Sequence, residues 1–134
     1  MPGIVVSCNV SDIDLELLHT WLSQSYWAQD RNLGRQKRAI EGSINFVALE
    51  DRRMVGFARV VTDKATFAWL CDVIVDPEKR REGIGKLLVA AATLHPDLQA
   101  VGKIVLATRN AHRLYEGFGF DPVPEGRFMI KSMD

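Results

Sequence analysis

The sequence predicts an α/β fold in a single domain, residues 1–134, with elements in the order β-α-α-β-β-β-α-β-α-β-β. Three observations carry that expectation. Short β-branched or aromatic runs bounded by turn residues read as strands, while segments with apolar residues three and four apart read as helices. A chain of 134 residues can bury a real core, yet it is short enough to be one unit. Finally, the run Leu70 to Val75 passes through Asp76-Pro77 into a basic, glycine-spaced turn, and an apolar-periodic helix opens at about Gly83.

The elements follow in order. Ile4 to Cys8 is a first strand, and Ser11-Asp12-Ile13-Asp14 resembles a capping box before a helix carrying Leu15, Leu18, Trp21 and Leu22. A turn around Asp30 to Gly34 leads to a second, more polar helix ending near Glu41. Ile44–Leu49 and Met54–Val61 are strands joined by a tight turn at residues 50–53, and Thr62–Ala65 turns the chain into the strand Thr66–Val75. Ile84, Leu87, Leu88, Ala91 and His95 mark the main helix, which stops before Pro96. Ile104–Ala107 is a short strand, Ala111–Glu116 a short helix closed by Gly117, and Phe120 and Phe128–Lys131 supply the last two strands.

Composition sets limits. Hydrophobic residues make up 47% and charged residues 25%, as in an ordinary globule. Seventeen basic residues balance seventeen acidic ones, so no overall field attracts nucleic acid or an anionic membrane. No apolar run approaches a membrane span, and no charged-then-apolar leader opens the chain. Cys8 and Cys71 fit no metal spacing, and two thiols in such a chain suggest a reducing, cytoplasmic setting.

The residues after Asp76-Pro77 point to phosphate chemistry. A helix start leaves backbone N–H groups unpaired and carries partial positive charge. Gly83 and Gly85 remove side chains there, and Arg80, Arg81 and Lys86 surround the point with cations. Neither a P-loop nor a dinucleotide fingerprint is present. The run Arg80-Arg81-Glu82-Gly83-Ile84-Gly85 reads Arg-x-x-Gly-x-Gly. It resembles the acyl-CoA signature of the GNAT superfamily of N-acyltransferases. About thirty residues on, Leu114-Tyr115-Glu116 and Gly119-Phe120 are similar to the family's later motif. One departure stands out: the family often has asparagine seven residues before the tyrosine, where this chain has Thr108, and Asn110 lies two residues nearer.

The resemblance implies a central mixed sheet flanked by about four helices. It implies acetyl transfer from acetyl-CoA, as co-substrate and without a metal, to a primary amine by direct attack in a ternary complex. The backbone of Val73, Ile74 and Val75 would pair with the pantetheine arm, with an N–H near Val73 meeting the thioester carbonyl. Arg80, Arg81, Glu82, Gly83, Ile84, Gly85 and Lys86 would hold the pyrophosphate, with Asn110 a further cofactor contact. Tyr115 would be the general acid, since a phenol keeps its proton at neutral pH. The base is open. Asp72 is a candidate beside Val73, but strand alternation lets only one of the faces Cys71/Val73 and Asp72/Ile74 point into the site. Asp63, Asp30 and His112 are further candidates. Trp21, Tyr26 and Trp27, with Phe67 and Trp69 nearby, could cage a cationic or aromatic acceptor, a small-molecule amine or a peptide. Small domains of this kind often form homodimers. A non-catalytic acyl-CoA sensor is the alternative, although its hallmark, loss of the tyrosine or glycines, is not seen.

Overall fold

A computed structural model describes residues 3–133. Five strands form one mixed sheet in the order β1-β2-β3-β4-β5: β1 Ile4–Ser7, β2 Ile44–Glu50, β3 Arg53–Thr62, β4 Ala68–Val75 and β5 Ile104–Val105. The first three pairings are antiparallel and β4–β5 is parallel. Four α-helices accompany them: α1 Leu15–Ser23, α2 Leu33–Glu41, α3 Ile84–Leu94 and α4 His112–Glu116. The expected mixed sheet with four helices is therefore present.

Alternation of β2 and β3 side chains, shifted by a β-bulge at Val55 opposite Ala48 and Leu49, splits the core in two. Phe46, Ala48, Val55, Ala58 and Val60 pack under α3 with Ile84, Leu88 and Val89, and Tyr115 of α4 joins them. Val47, Met54 and Phe57 face the other way, against Leu18, Trp21 and Leu22 of α1 and Ile40 of α2. Gly56 fixes how closely α3 approaches. A Cβ there would come within 2.9 Å of Ile84 and 3.0 Å of Leu88, so β3 must lack a side chain where the helix start crosses it.

Several boundaries depart from the sequence reading. The residues taken as a capping box form a 3₁₀ turn, Val10–Asp12, capped by Asn9, and Asp14 is the N-cap of α1. The fourth strand begins at Ala68 because the Asp63 carboxylate gathers the N–H groups of Ala65, Thr66 and Phe67 into a turn. The two strands expected at Phe120 and Phe128–Lys131 are absent among the described residues, and the segment after α4 is turn and coil. Pro122 and Pro124 cannot donate to a ladder, and Gly119 and Gly126 adopt positive φ, which breaks strand geometry there.

Candidate functional site

β4 and β5 pair only at Ala68–Ile104 and Trp69–Val105, after which the strands part. The β5-facing edge of β4 is thus open from Leu70 onward. On its other edge, Cys71 pairs with Arg59 and Ile74 with Phe57, so Asp72 and Val73 together oppose one residue, Ala58. This is a β-bulge, and Asp72 takes a left-handed φ of 53° to make it. The bulge switches the strand's faces. Ala68 and Leu70 belong to the core under α3, yet Ile74, an even number of residues on, packs under α1 and α2. Simple alternation therefore fails at Asp72, and Cys71, Asp72 and Val73 all border the same cleft.

That cleft, about 490 Å³, opens between the parted strands. Leu106–Ala111 and Tyr115 form one wall, and Tyr26, Trp27, Arg31, Arg59 and Trp69 form the other. A second cavity of about 660 Å³ lies beyond β5, lined by His112, Phe120 and Phe128 among others, and Tyr115 borders both. Tyr115 is 9% exposed and meets Phe120 edge to face at 5.9 Å. Burial, with a smaller effect from neighbouring Tyr26, pushes its pKa up, so the phenol is protonated at neutral pH.

At the other end, α3 begins differently from α1 and α2. Asp14 caps α1 by accepting from Leu17 N–H, and Asn32 caps α2 by accepting from Arg35 N–H. Gly83 caps α3 with no side-chain hydrogen bond and with φ at 84°, and Arg81 is also left-handed at 71°. Left-handed φ at a non-glycine residue costs energy and clusters at ligand clamps. Gly85 makes a separate point. A Cβ there would touch Leu114 and Val75 only at 3.9 Å, so the fold tolerates a side chain and its absence keeps the amide open. Arg80, Arg81, Glu82 and Lys86 are exposed around this start, whereas Ile84 is buried and can offer a ligand only its backbone. The arrangement is suited to holding a phosphate anion.

Asp72 is not placed as a base. Its carboxylate accepts from Arg31 Nη1 at 2.7 Å, from Arg59 Nε at 3.0 Å and from Trp27 Nε1 at 3.1 Å. Burial would raise its pKa, but the guanidiniums of Arg59 and Arg31 outweigh that and hold it below the usual carboxylate range. An anion stabilised in this way is a poor proton acceptor and instead ties the bulge to α2's approach and β3. Arg31 also donates to Gln36 Oε1 and Arg59 to Ser43 Oγ, extending the network. Sequence spacing could not reveal it, because its members lie up to 45 residues apart.

The other candidates scatter. Asp63 is the turn former described above, and its hydrogen bonds from Thr66, Ala65 and Phe67 drive its carboxyl far below the usual range. Asp30 is exposed at residues 26–35, away from the cleft floor. His112 faces the second cavity. Trp21 is buried in the core beneath α1 and does not line the cleft, because its helix turns that face to the sheet. Phe67 sits exposed at the β3–β4 turn. Tyr26 and Trp27 do line the cleft, but Tyr26 is already occupied. Arg109 already stacks on Tyr26 at 4.0 Å and donates its N–H to the Tyr26 hydroxyl. Cys71 borders the cleft as a neutral thiol, its pKa pushed up to about 11 by burial. Thr108, at the position where the family often has asparagine, accepts from Ala111 N–H at 3.0 Å just before α4, and Asn110 lines the cleft.

Comparison with known proteins agrees with this geometry. Residues 41–122 match the family model described as an acetyltransferase (GNAT) domain. A solved structure from Xanthomonas campestris pv. campestris, assigned to the GNAT acetyltransferase family, superposes with a TM-score of 0.92. It is 43% identical, over 100% of this chain and 95% of that one. The histone acetyltransferase TAP1 of Glycine max is 32% identical over 89% of this chain and 48% of its own length. GCN5-related N-acetyltransferase 2, chloroplastic, of Arabidopsis thaliana is 35% identical over 63% of this chain and 32% of its own. The chain thus spans about half or less of these two curated relatives. Among the described residues no helix is long and apolar enough to cross a membrane.

Proposed function

The chain belongs to the GNAT acetyltransferase family, and from that premise we propose that it moves an acetyl group from acetyl-CoA to a primary amine within a ternary complex. The observation that carries the reading is the uncapped start of α3 at the end of an unpaired β4 edge, with Tyr115 across the cleft. The amides of Arg81–Lys86 bind the pyrophosphate, and the open edge at Val73–Val75 pairs with the pantetheine arm. The Val73 N–H, beside the bulge, donates to the thioester carbonyl oxygen as charge builds on it. The amine nitrogen forms the new C–N bond, the C–S bond breaks, and Tyr115 gives its proton to the departing sulfur. Water takes the amine's proton, since Asp72 is committed to its arginines. The neutral Cys71 thiol argues against an acyl-cysteine route.

Release of free thiol from acetyl-CoA across a library of amines tests this. Amine-dependent release is expected. Saturable acetyl-CoA binding without release for any amine would instead favour the sensor reading. A homodimer is also proposed, because Phe128, Met129 and Ile130 are exposed beside the unpaired outer side of β5. Light scattering giving the 15.0 kDa of one chain would overturn it.

A further inference from the structure

We propose that the acceptor amine carries a carboxylate, which docks on the guanidiniums of Arg31 and Arg59. This rests on the acyl-transfer reading of the same cleft. The charges lining the cleft carry it. Arg31, Arg59 and Arg109 stand against a single carboxylate, Asp72. The anion is sealed and the cations are not: the Asp72 side chain is 1% exposed, against 19% for Arg31 and 12% for Arg59. A guanidinium presents a wider fork of N–H donors than these bonds consume. Arg31 spends only Nη1 on Asp72 and Gln36, and Arg59 spends Nε and Nη1 on Asp72 and Ser43. The unspent donors match a planar carboxylate.

The same inventory disfavours a polycationic acceptor. Among the described lining residues no carboxylate other than Asp72 is present, and Asp72 is already paired twice. Arg109 lies over the Tyr26 ring, where its charge opposes a second cation. A surplus of positive charge also disfavours the ammonium form of a bound amine, releasing the neutral nucleophile without a dedicated base. Trp27, Trp69 and Leu70 leave room for an apolar body between the two polar ends.

Two measurements test the proposal. In the first, 3-phenylpropionate and phenethylammonium are titrated separately, with tryptophan fluorescence reporting through Trp27 and Trp69. In the second, acetyl transfer is compared for amines paired with their α-carboxylate counterparts: benzylamine with phenylglycine, phenethylamine with phenylalanine, butylamine with norvaline. The acid should bind at least about tenfold more tightly, and the best carboxylate-bearing amine should show a kcat/KM at least about tenfold above its partner. Arg31→Gln, which leaves Asp72 paired with Arg59, should bring both ratios to within about threefold, and Arg31→Lys should restore part of them. Acid-selective binding without any acetyl transfer would uphold the anion site and defeat the acyl-transfer reading. Transfer to both members of each pair at equal rates would do the reverse. Absence of binding and of turnover for every carboxylate would overturn the proposal too. Should Arg31→Gln fail to fold, the wild-type ratios decide.

Discussion

The two ends of the cleft are built in opposite ways. The α3 end is made of consecutive residues, 80–86, and works through backbone groups: open amides, glycines and left-handed turns. The acceptor end is made of side chains from the α1–α2 connection, β3 and β4, joined through Asp72. A ligand at the first end meets groups that are correct as soon as the local chain folds. A ligand at the second meets groups that exist only once the whole sheet and its helices have closed. Stability and affinity should therefore separate between the two ends, and each substitution below tests that separation.

The largest effect is expected at the acceptor end. Asp72→Ala removes the anion that pairs with two partly buried guanidiniums, and breaking such a network costs about 3–5 kcal/mol. Urea unfolding measures it, and a loss below about 1 kcal/mol would show that the two arginines find other partners. The pH dependence has a definite sign. Because the folded pKa of Asp72 is depressed, its contribution is fully present above the unfolded value of about 3.9 and is lost as pH falls through the folded pKa. The wild type should lose stability on that acid side, and Asp72→Asn should lose less.

Tyr115→Phe stands where the two ends meet. It keeps the ring against Phe120 and removes only the hydroxyl. Turnover number and catalytic efficiency should fall together by roughly ten- to a thousandfold, with the melting temperature and acetyl-CoA affinity little changed. Wild-type turnover, with chemistry shown to limit the rate, would leave the phenol a packing group.

The contrast also explains what the sequence could and could not disclose. Arg80–Lys86 and Leu114–Glu116 were readable because each is a local run whose residue types dictate its backbone. The order of elements was equally accessible through α4, but the two strands expected after it did not form, the first beside Gly119 at φ 90° and Pro122. The bulge was not readable. An aspartate at φ 53° inside a strand has no local signal, and it inverts the alternation used to judge Asp72. Trp21 and Tyr26 look alike in composition, yet only the packing of α1 sends the first into the core and leaves the second at the cleft. Gly56 likewise takes its meaning from Ile84 and Leu88, which are remote in sequence.

At the α3 end the prediction reverses. Gly85→Glu should leave the unfolding midpoint nearly unchanged, because a Cβ there meets nothing closer than 3.9 Å. Its carboxylate would stand where phosphate belongs, so the acetyl-CoA Kd should rise by about tenfold or more. Calorimetric titration reads this directly, and an unchanged Kd would remove α3 from the binding site. Gly83 is the poorer target, since any side chain at φ 84° adds strain to lost affinity.

The smallest effect sharpens the comparison most. Asp14 satisfies the start of α1 with its own carboxylate, as Gly83 does not for α3. Asp14→Ala should cost about 1 kcal/mol of stability, the usual loss for a side-chain cap, and leave acetyl-CoA affinity untouched. If the ligand is the cap that α3 lacks, saturating acetyl-CoA should raise the stability of wild type and Asp14→Ala by the same amount, about 2.7 kcal/mol at a hundredfold excess over Kd. In Gly85→Glu a tenfold higher Kd should cut that increment to about 1.4 kcal/mol or less at the same concentration, though the unliganded protein is as stable as wild type. Chemical denaturation with and without acetyl-CoA supplies all six values. An increment that shrinks in Asp14→Ala would mean that the helix starts are coupled through the sheet, and the separation of backbone-built and side-chain-built ends would fail.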